Sequence, residues 1–466
     1  MYNNIMSSVA IAATNTHLVS CLCVSKNRYE LLSQSIDCFL FQSHPNKELI
    51  IVYEDDNQWM QEVKASYRDD RIRFVEVPTH PKQTLGDLRN RSVQEASGAY
   101  IIQWDDDDMY HPDRIRLQLA RATERTNNGA VGNVVNDVVI YDQTCRRSFL
   151  FRNYQFDGSM LVHRQTLLDK VAYPSLSRAE DNVVRNALLA NGSISTLTVP
   201  FLYLYRFHGR NTWDETHFKA IYSGSVQVDS ASTRLVAAAN LLANPGYLRA
   251  VLEAVAVGKT PDFSNTVAPI LHQTWNTRHL PAHLAELSDG WKALHPGWTH
   301  KIWTDVECDE FVVSVWPELN DLYSSFPYPN QRFNMIRYLI LHTYGGVYLD
   351  LDMMPVRTLD FLLGTSDFIV CKEPNEEAVI HQRDFIISNA FMASPPLHPF
   401  IRHLIHDMMT HKTPFSDENN VILDTTGPFC VSRVYNAMPD GVRVLHSSDF
   451  MSLSYKDVDA CVSATD

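Results

Sequence analysis

"YIIQWDDDDMYHPDRI", residues 100–115, runs from an apolar, strand-like segment into four consecutive aspartates. Side-by-side carboxylates repel one another, and each is costly to desolvate unless a cation or donor stands among them. Asp105 to Asp108 offer hard oxygen ligands in a tight turn, the donor type preferred by Mg²⁺ or Mn²⁺. One or two such carboxylates suffice when diphosphate oxygens supply the rest. On the four aspartates alone, a solvated acidic turn or a structural Ca²⁺ loop stays open as the alternative. "GGVYLDLDMMP" at 345–355 makes a similar exit from an apolar run, and strand alternation there predicts Asp350 and Asp352 on one face. The two acidic sites lie about 245 residues apart, roughly one large domain.

Working outward from the first site, strands alternate with helices over 17–225. "HLVSCLCVS", "KELIIVYEDD" and "AYIIQW" read as strands. "YELLSQSIDCFLFQ", "TLGDLRNRSVQEASG" closed by Gly98, and "HPDRIRLQLARATER" with Pro112 near its start read as helices. Such alternation predicts a mainly parallel sheet covered on both faces, with ligands beyond the carboxyl ends of its strands. Glu54-Asp55-Asp56 and the Asp105–Asp108 run both sit at such ends. Residues 226–262 are rich in Ala and Leu, broken at Asn244-Pro245-Gly246, and read as a helical connector. A second strand-helix pattern fills 263–466. Its helix "NQRFNMIRYLILHTYGG" stops at Gly345-Gly346 and leads into "VYLDLD".

The bulk properties exclude some partners. The chain has 466 residues, is 45% apolar and 20% charged, and carries a net charge of −14, the balance of a globular protein whose main partner is not a nucleic-acid backbone. No run of 18 apolar residues occurs, so no membrane span is expected. Residues 1–16 read as leader or tag-like sequence. The eight cysteines are scattered without zinc-type spacing, as expected of free thiols in a reducing cytoplasm.

The segments quoted from 17–225, together with "AEDNVVRNALL" and "LYRFHGRNTW", resemble family 2 glycosyltransferases in the right order. The resemblance implies a GT-A fold, which is an α/β fold binding nucleotide-diphosphosugars. It implies that Asp55 or Glu54 contacts the donor's uridine, that Asp105 and Asp107 form the DxD element with Asp107 on the metal, and that His208 completes the metal shell. Asp181 matches the general base that deprotonates the acceptor hydroxyl. The residues alone allow the same chemistry: inverting transfer needs a metal site for the leaving group and a carboxylate opposite to take a proton. Asp181 opens a predicted helix, where a plain N-terminal acid is also favoured.

"APILHQTWNTRHLP", "FNMIRYLILHTYGGVYLDLDMMPVRTL", "SNAFMASPPLHPF" and "TTGPFCVSRV" resemble the DxD sugar-binding region of family 32 glycosyltransferases, over about 267–435. The resemblance implies a retaining GT-A enzyme. Asp350 and Asp352 become donor and metal carboxylates, with Asp352 on the metal. Arg337 holds sugar or diphosphate. His272, Gln273, Thr274 and Trp275 line the nucleotide pocket, while Asn389 and the Thr426-Gly427-Pro428 loop face the sugar. Asn334 stands where that family has Asp, and an amide still serves sugar hydroxyls. The tail "SLSYKDVDACVSATD" lacks the His and Ser-Trp often found at this family's end; another residue completing the site, a truncated chain and an impaired domain stay open.

The expectation is an α/β chain of two GT-A domains, acting as a bifunctional glycosyltransferase with Mn²⁺ or Mg²⁺ and nucleotide-sugar donors, UDP-sugars foremost. Its expected acceptor is a glycan or lipid-linked glycan of a bacterial surface polysaccharide. The expected location is the cytoplasm, with peripheral association at the inner face of the cytoplasmic membrane as an option. The rival readings are one active domain beside a non-catalytic glycan-binding module, and transfer to a protein side chain.

Overall fold

The computed structural model describes residues 17–447 except 27, 55–56, 125–128, 214, 262 and 264. The expected leader and the C-terminal tail from 448 therefore lie outside the described residues. The chain divides into two compact units, Met1–Pro261 and Asp262–Asp466.

The first unit contains β1 (Val19–Ser25), β2 (Lys47–Tyr53), β3 (Ile72–Glu76), β4 (Tyr100–Gln103), β5 (Met109–Tyr110), β6 (Gly132–Val135), β7 (Val138–Asp142), β8 (Arg147–Phe151), β9 (Leu161–His163), β10 (Ser195–Leu197), β11 (Tyr203–Phe207) and β12 (Val226–Gln227). A seven-stranded sheet has the order β10-β6-β9-β4-β1-β2-β3. Its inner strands are buried on both faces, which is why β2 is a near-continuous apolar run. The sheet is not wholly parallel: β9 runs antiparallel to both β4 and β6.

A second sheet, ordered β12-β8-β7-β11-β5, was not foreseen, and only its β7/β11 pair is parallel. Its β7–β8 hairpin is held by Asp142, whose Oδ1 accepts from the backbone N–H of Thr144 (2.9 Å) and Cys145 (3.1 Å). The aspartate run is thus the passage from β4 in one sheet to β5 in the other. Two helices border it. α1 (Leu85–Glu95) carries Arg89, and α2 (Glu180–Ala190) carries Asp181 in its first turn.

The segment 226–262 is not a free connector. Its helices α3 (Ser230–Leu242) and α4 (Pro245–Ala256) bury Val236, Ala239, Leu248 and Leu252 within the first unit. Asn240 Oδ1 accepts from Arg206 Nη1 (3.2 Å), and Glu253 pairs with His111 (3.2 Å). The segment is helical, as expected, and its Ala and Leu content is the apolar face of this packing.

The second unit holds β13 (Ile270–Thr274), β14 (Thr299–Trp303), β15 (Gly346–Leu349), β16 (Phe368–Lys372), β17 (Ile387–Ser394) and β18 (Val442–Leu445) in the order β14-β13-β15-β17-β16-β18. Only β17 is antiparallel to its neighbours. Helix α5 (Pro329–Tyr344) is buried through its whole second half and reverses into β15 at Gly345 (φ 65°) and Gly346 (φ 93°). A Cβ on Gly346 would stand 2.6 Å from the Ile270 carbonyl oxygen, so sterics demand glycine there. The expected strand face for Asp350 and Asp352 is corrected. β15 ends at Leu349, and the pair lies in the turn that follows, Asp350 half-buried and Asp352 exposed. No described helix is long and apolar enough to cross a membrane.

Candidate active sites

In the first unit, each aspartate of the run has its own partners. Asp106 accepts from Ser25 Oγ (2.6 Å) and Arg28 Nη1 (3.0 Å). Asp107 Oδ2 meets Arg28 Nη1 at 2.5 Å and His208 Nε2 at 3.2 Å. Asp108 accepts from the Tyr203 hydroxyl (2.6 Å) and the Arg206 backbone N–H (2.9 Å). Asp105 pairs with Arg89 Nη2 at 3.3 Å. Burial, with Asp107 beside it, pushes Asp106 up to about 7, and burial drives Asp108 well above the carboxylate range. Burial acts on Asp107 too, but the His208 hydrogen bond and the Arg28 charge outweigh it and hold that carboxyl below its ordinary value. Asp107 is the member of the run whose carboxyl is held below its ordinary value, while the other three are raised.

Arg89 ties the run to the start of α2. Its Nε donates to Glu180 Oε1 (2.7 Å), and its Nη2 lies 4.0 Å from Asp181 Oδ2. Burial raises Asp181, against the pull of Arg89. Burial and the neighbouring Asp181 carry Asp157, the ion-pair partner of Arg185, up to about 8. A cleft of about 360 Å³ is lined by Arg28, Asp105, Asp107, Asp157 and Asp181, among others. Its volume suits a small ligand. Lys26 and Glu54 lie on its wall, joined at 3.3 Å.

Among the described residues, no group of three or more His, Cys, Asp and Glu is arranged to hold a metal ion by itself. Asp107 and His208 nevertheless stand side by side, His208 Nε2 lying 3.2 Å from Asp107 Oδ2. An oxygen and an imidazole donor there fit a hard divalent cation whose remaining ligands come from a diphosphate.

In the second unit, Asp350 is bound by Arg337 Nη1 (3.3 Å to Oδ1) and by the Tyr348 hydroxyl (3.0 Å), which Thr274 Oγ1 contacts in turn (3.0 Å). Burial raises the Asp350 carboxyl while Arg337 opposes it. Arg337 also donates to the Asn389 carbonyl (2.8 Å) and lies over the Tyr348 ring (4.7 Å). Beside it runs a buried polar network. Asn389 Nδ2 donates to Asn334 Oδ1 (3.1 Å), Asn334 Nδ2 to Thr426 Oγ1 (3.2 Å), and the Tyr338 hydroxyl to the Thr426 carbonyl (2.7 Å).

Residues 20–172 match the family model described as glycosyl transferase family 2, and residues 281–369 match that of the glycosyltransferase sugar-binding region containing DXD motif. Two glycosyltransferase regions stand in one chain. The α/β fold is of the GT-A type that family 2 implies. A mannosyl phosphorylinositol ceramide synthase of Saccharomyces cerevisiae is 32% identical over 192 residues, 40% of this chain and 48% of the relative. Inositol phosphoceramide mannosyltransferase 3 of Schizosaccharomyces pombe is 31% identical over 180 residues, 38% of this chain and 48% of its own. The chain therefore spans about half the length of these curated relatives. A solved mannosyltransferase of Pyrobaculum calidifontis, in complex with GDP-Man and Mn²⁺, is 13% identical with a TM-score of 0.32, covering 56% of this chain and 84% of that one.

Within the family 2 region and the rest of its unit, Glu54, Asp105, Asp107 and Asp181 line one cleft, and His208 reaches it through Asp107. Asp55 lies outside the described residues. Within the unit holding the DXD region, Asn334, Arg337, Asp350 and Asn389 form one connected set, with Thr274 joined through Tyr348. The expectation that His272 and Gln273 line a pocket is corrected: both are fully buried. His272 is held between the Gly345 carbonyl (3.0 Å) and Trp303 Nε1 (3.2 Å), and Gln273 Oε1 faces Ser288 and His300. They lie on an inner strand whose side chains point into packed layers. Half-buried Trp275 donates its backbone N–H to the Trp303 carbonyl (2.9 Å). Sequence reasoning missed Arg28, Arg89 and Asp157. Arg28 stands three residues beyond the end of β1, so a cation near a strand end was a usable signal; Asp157 in "YQFDGS" gave none.

Proposed function

We propose that the chain is a bifunctional, metal-dependent glycosyltransferase, with an inverting first unit and a retaining second unit. The observation that carries the reading is the single cleft shared by Asp107 and Asp181. In the first unit, Asp181 takes the proton of the acceptor hydroxyl. The acceptor oxygen bonds to the anomeric carbon as the bond to the diphosphate breaks on the opposite face, which inverts that centre. Asp107 and His208 would hold the divalent cation, which when bound supplies Lewis-acid stabilisation of the leaving diphosphate. Arg28 and Lys26 offer the diphosphate further positive charge from the cleft wall. In the second unit, Asp350 and Asp352 would serve donor and cation, and Arg337 would fix Asp350.

The relatives' names favour mannose as one transferred sugar and an inositol phosphoceramide, a phosphosphingolipid, as acceptor. We put that acceptor in place of the bacterial surface polysaccharide expected from sequence. The test is release of UDP and of GDP from a panel of nucleotide sugars, with and without Mn²⁺, in the presence of inositol phosphoceramide. Metal-dependent GDP release from GDP-mannose, stimulated by that lipid, is the expected result. Full activity in EDTA would defeat the metal-dependent reading.

A further inference from the structure

The lysines and arginines on the wall of the first unit's cleft are Lys26, Arg28, Lys82, Arg89 and Arg178. Three of them are paired with acids of the same wall: Lys26 with Glu54, Arg28 with Asp106 and Asp107, and Arg89 with Asp105 and Glu180. Among the described residues, Lys82 and Arg178 have no carboxylate partner. Arg178 is exposed, and what steadies it is a ring: its guanidinium carbon lies over Trp213, 5.9 Å from the ring centroid. Half-buried Trp213 is itself stacked on His217 of the helix Glu215–Ser223, with centroids 4.4 Å apart and planes inclined by 18°. Trp213 and His217 also line the cleft. A guanidinium held by an aromatic face spends none of its five N–H donors on that contact. Among the described residues, no acceptor takes them up.

The place of Arg178 in the chain tells which reactant it meets. Only Ala179 and Glu180 separate it from Asp181, and Ala179 is held in the left-handed region (φ 58°, ψ 19°). A residue with a side chain is strained there, and such strain persists where the surroundings fix the backbone. In an inverting transfer the diphosphate leaves on the face opposite the base, so a cation beside Asp181 stands on the acceptor's side. We propose that Arg178, braced by Trp213, is the phosphate subsite of the first unit's acceptor, and that this acceptor is a sugar or cyclitol ring carrying a phosphate. The assignment rests on the reading of Asp181 as the base. A ring hydroxyl then faces Asp181 while the phosphate takes the planar N–H fork of Arg178, which matches two phosphate oxygens. Lys82 adds positive charge to the same wall. A neutral ring gains nothing from that fork, which is how the site tells the two apart.

The test is calorimetric binding to the full chain with Mn²⁺ and saturating UDP or GDP, in an Asp352→Asn background that weakens the second unit's site. The probes are inositol 1-phosphate and glucose 6-phosphate, each against its unphosphorylated parent. Charge-assisted hydrogen bonds predict that the phosphorylated rings bind about ten- to a hundredfold more tightly than their parents. Arg178→Gln should abolish that preference and leave inositol, glucose, UDP and GDP unchanged. Loss of the brace in Trp213→Ala should lower the preference about two- to fivefold, and Trp213→Phe should keep it. Inositol phosphoceramide in mixed micelles, bound with the same dependence on Arg178, would assign the phosphate to a lipid headgroup; binding confined to the soluble compounds would assign a free phosphorylated ring. Phosphorylated rings bound no better than their parents would overturn the proposal. So would a preference that survives Arg178→Gln. Weaker UDP or GDP binding by Arg178→Gln would mean a donor-side or structural role and overturn it too. Normal transfer by Asp181→Asn would instead overturn the reading on which the assignment rests.

Discussion

Asp181→Asn keeps the shape of the side chain and removes its basicity. Transfer by the first unit should fall about 10²–10⁴-fold, the usual scale of acid–base catalysis, while nucleoside diphosphate binding stays unchanged. Normal transfer by the variant would leave Asp181 as a helix-start acid held by the Asn182 N–H (2.9 Å). The pH profile gives a second check. Burial raises the Asp181 carboxyl, so the base is protonated at pH values where an exposed aspartate is already ionised. The acid limb of kcat/KM should therefore rise at a higher pH than an ordinary aspartate would give, and a rise at or below the ordinary range would contradict the assignment. At this scale the acids of the first cleft were legible, because charge at the end of an apolar run has few bland explanations. Their counter-charges were not. Arg28 meets Asp106 across 78 positions and Asp107 across 79, and no local pattern encodes such pairings.

Elements show the same division. The long inner strands and helices were legible because a strand buried on both faces is a near-continuous apolar run and a helix repeats its apolar face. The second sheet of the first unit was not, since strands as short as Met109–Tyr110 carry no measurable period. The turn from α5 into β15 was legible through its two glycines, and it is testable. Gly345 has φ 65° and ψ −159°, a region essentially reserved for glycine, and a Cβ there would lie 2.7 Å from Pro396 N. Gly345→Ala should cost about 1–3 kcal/mol or more in chemical denaturation. Buried histidines predict a pH dependence of the second unit. Burial pushes His272 down to about 3 and His342 to about 4, whereas unfolded histidine titrates near 6.5. The unfolded chain then binds more protons below about pH 6.5. Their contribution is complete above that pH and is lost as pH falls towards 4, by up to about 1.4 kcal/mol per pH unit for each histidine. Urea denaturation of the full chain at pH 7 and pH 5, followed by tryptophan fluorescence, should show that loss, and His272→Gln should lessen the slope.

For the whole molecule, the question is whether two carboxylate sites run two reactions. Each compact unit has its own sheet ending in its own acid pair, Asp105 and Asp107 in one and Asp350 and Asp352 in the other. The arrangements differ in kind. Asp107 is shared by Arg28 and His208 on a buried run, whereas Asp350 is shared by Arg337 and Tyr348 beside an exposed Asp352. If each pair stabilises its own leaving diphosphate, that stabilisation is worth several kcal/mol. At about 1.4 kcal/mol per decade, its loss costs roughly two to four decades in rate. Asp107→Asn should then silence one transfer and spare the other, Asp352→Asn should do the reverse, and EDTA should stop both. NMR of the products should show an inverted anomeric centre for the transfer lost in Asp107→Asn and a retained one for that lost in Asp352→Asn. If both substitutions abolish one and the same transfer, the two acid pairs belong to a single composite reaction. If Asp352→Asn leaves every transfer intact, the second unit does not catalyse, and Asn334, an amide in a buried network with Thr426 and Asn389 where the resemblance leads one to expect Asp, is the place to look.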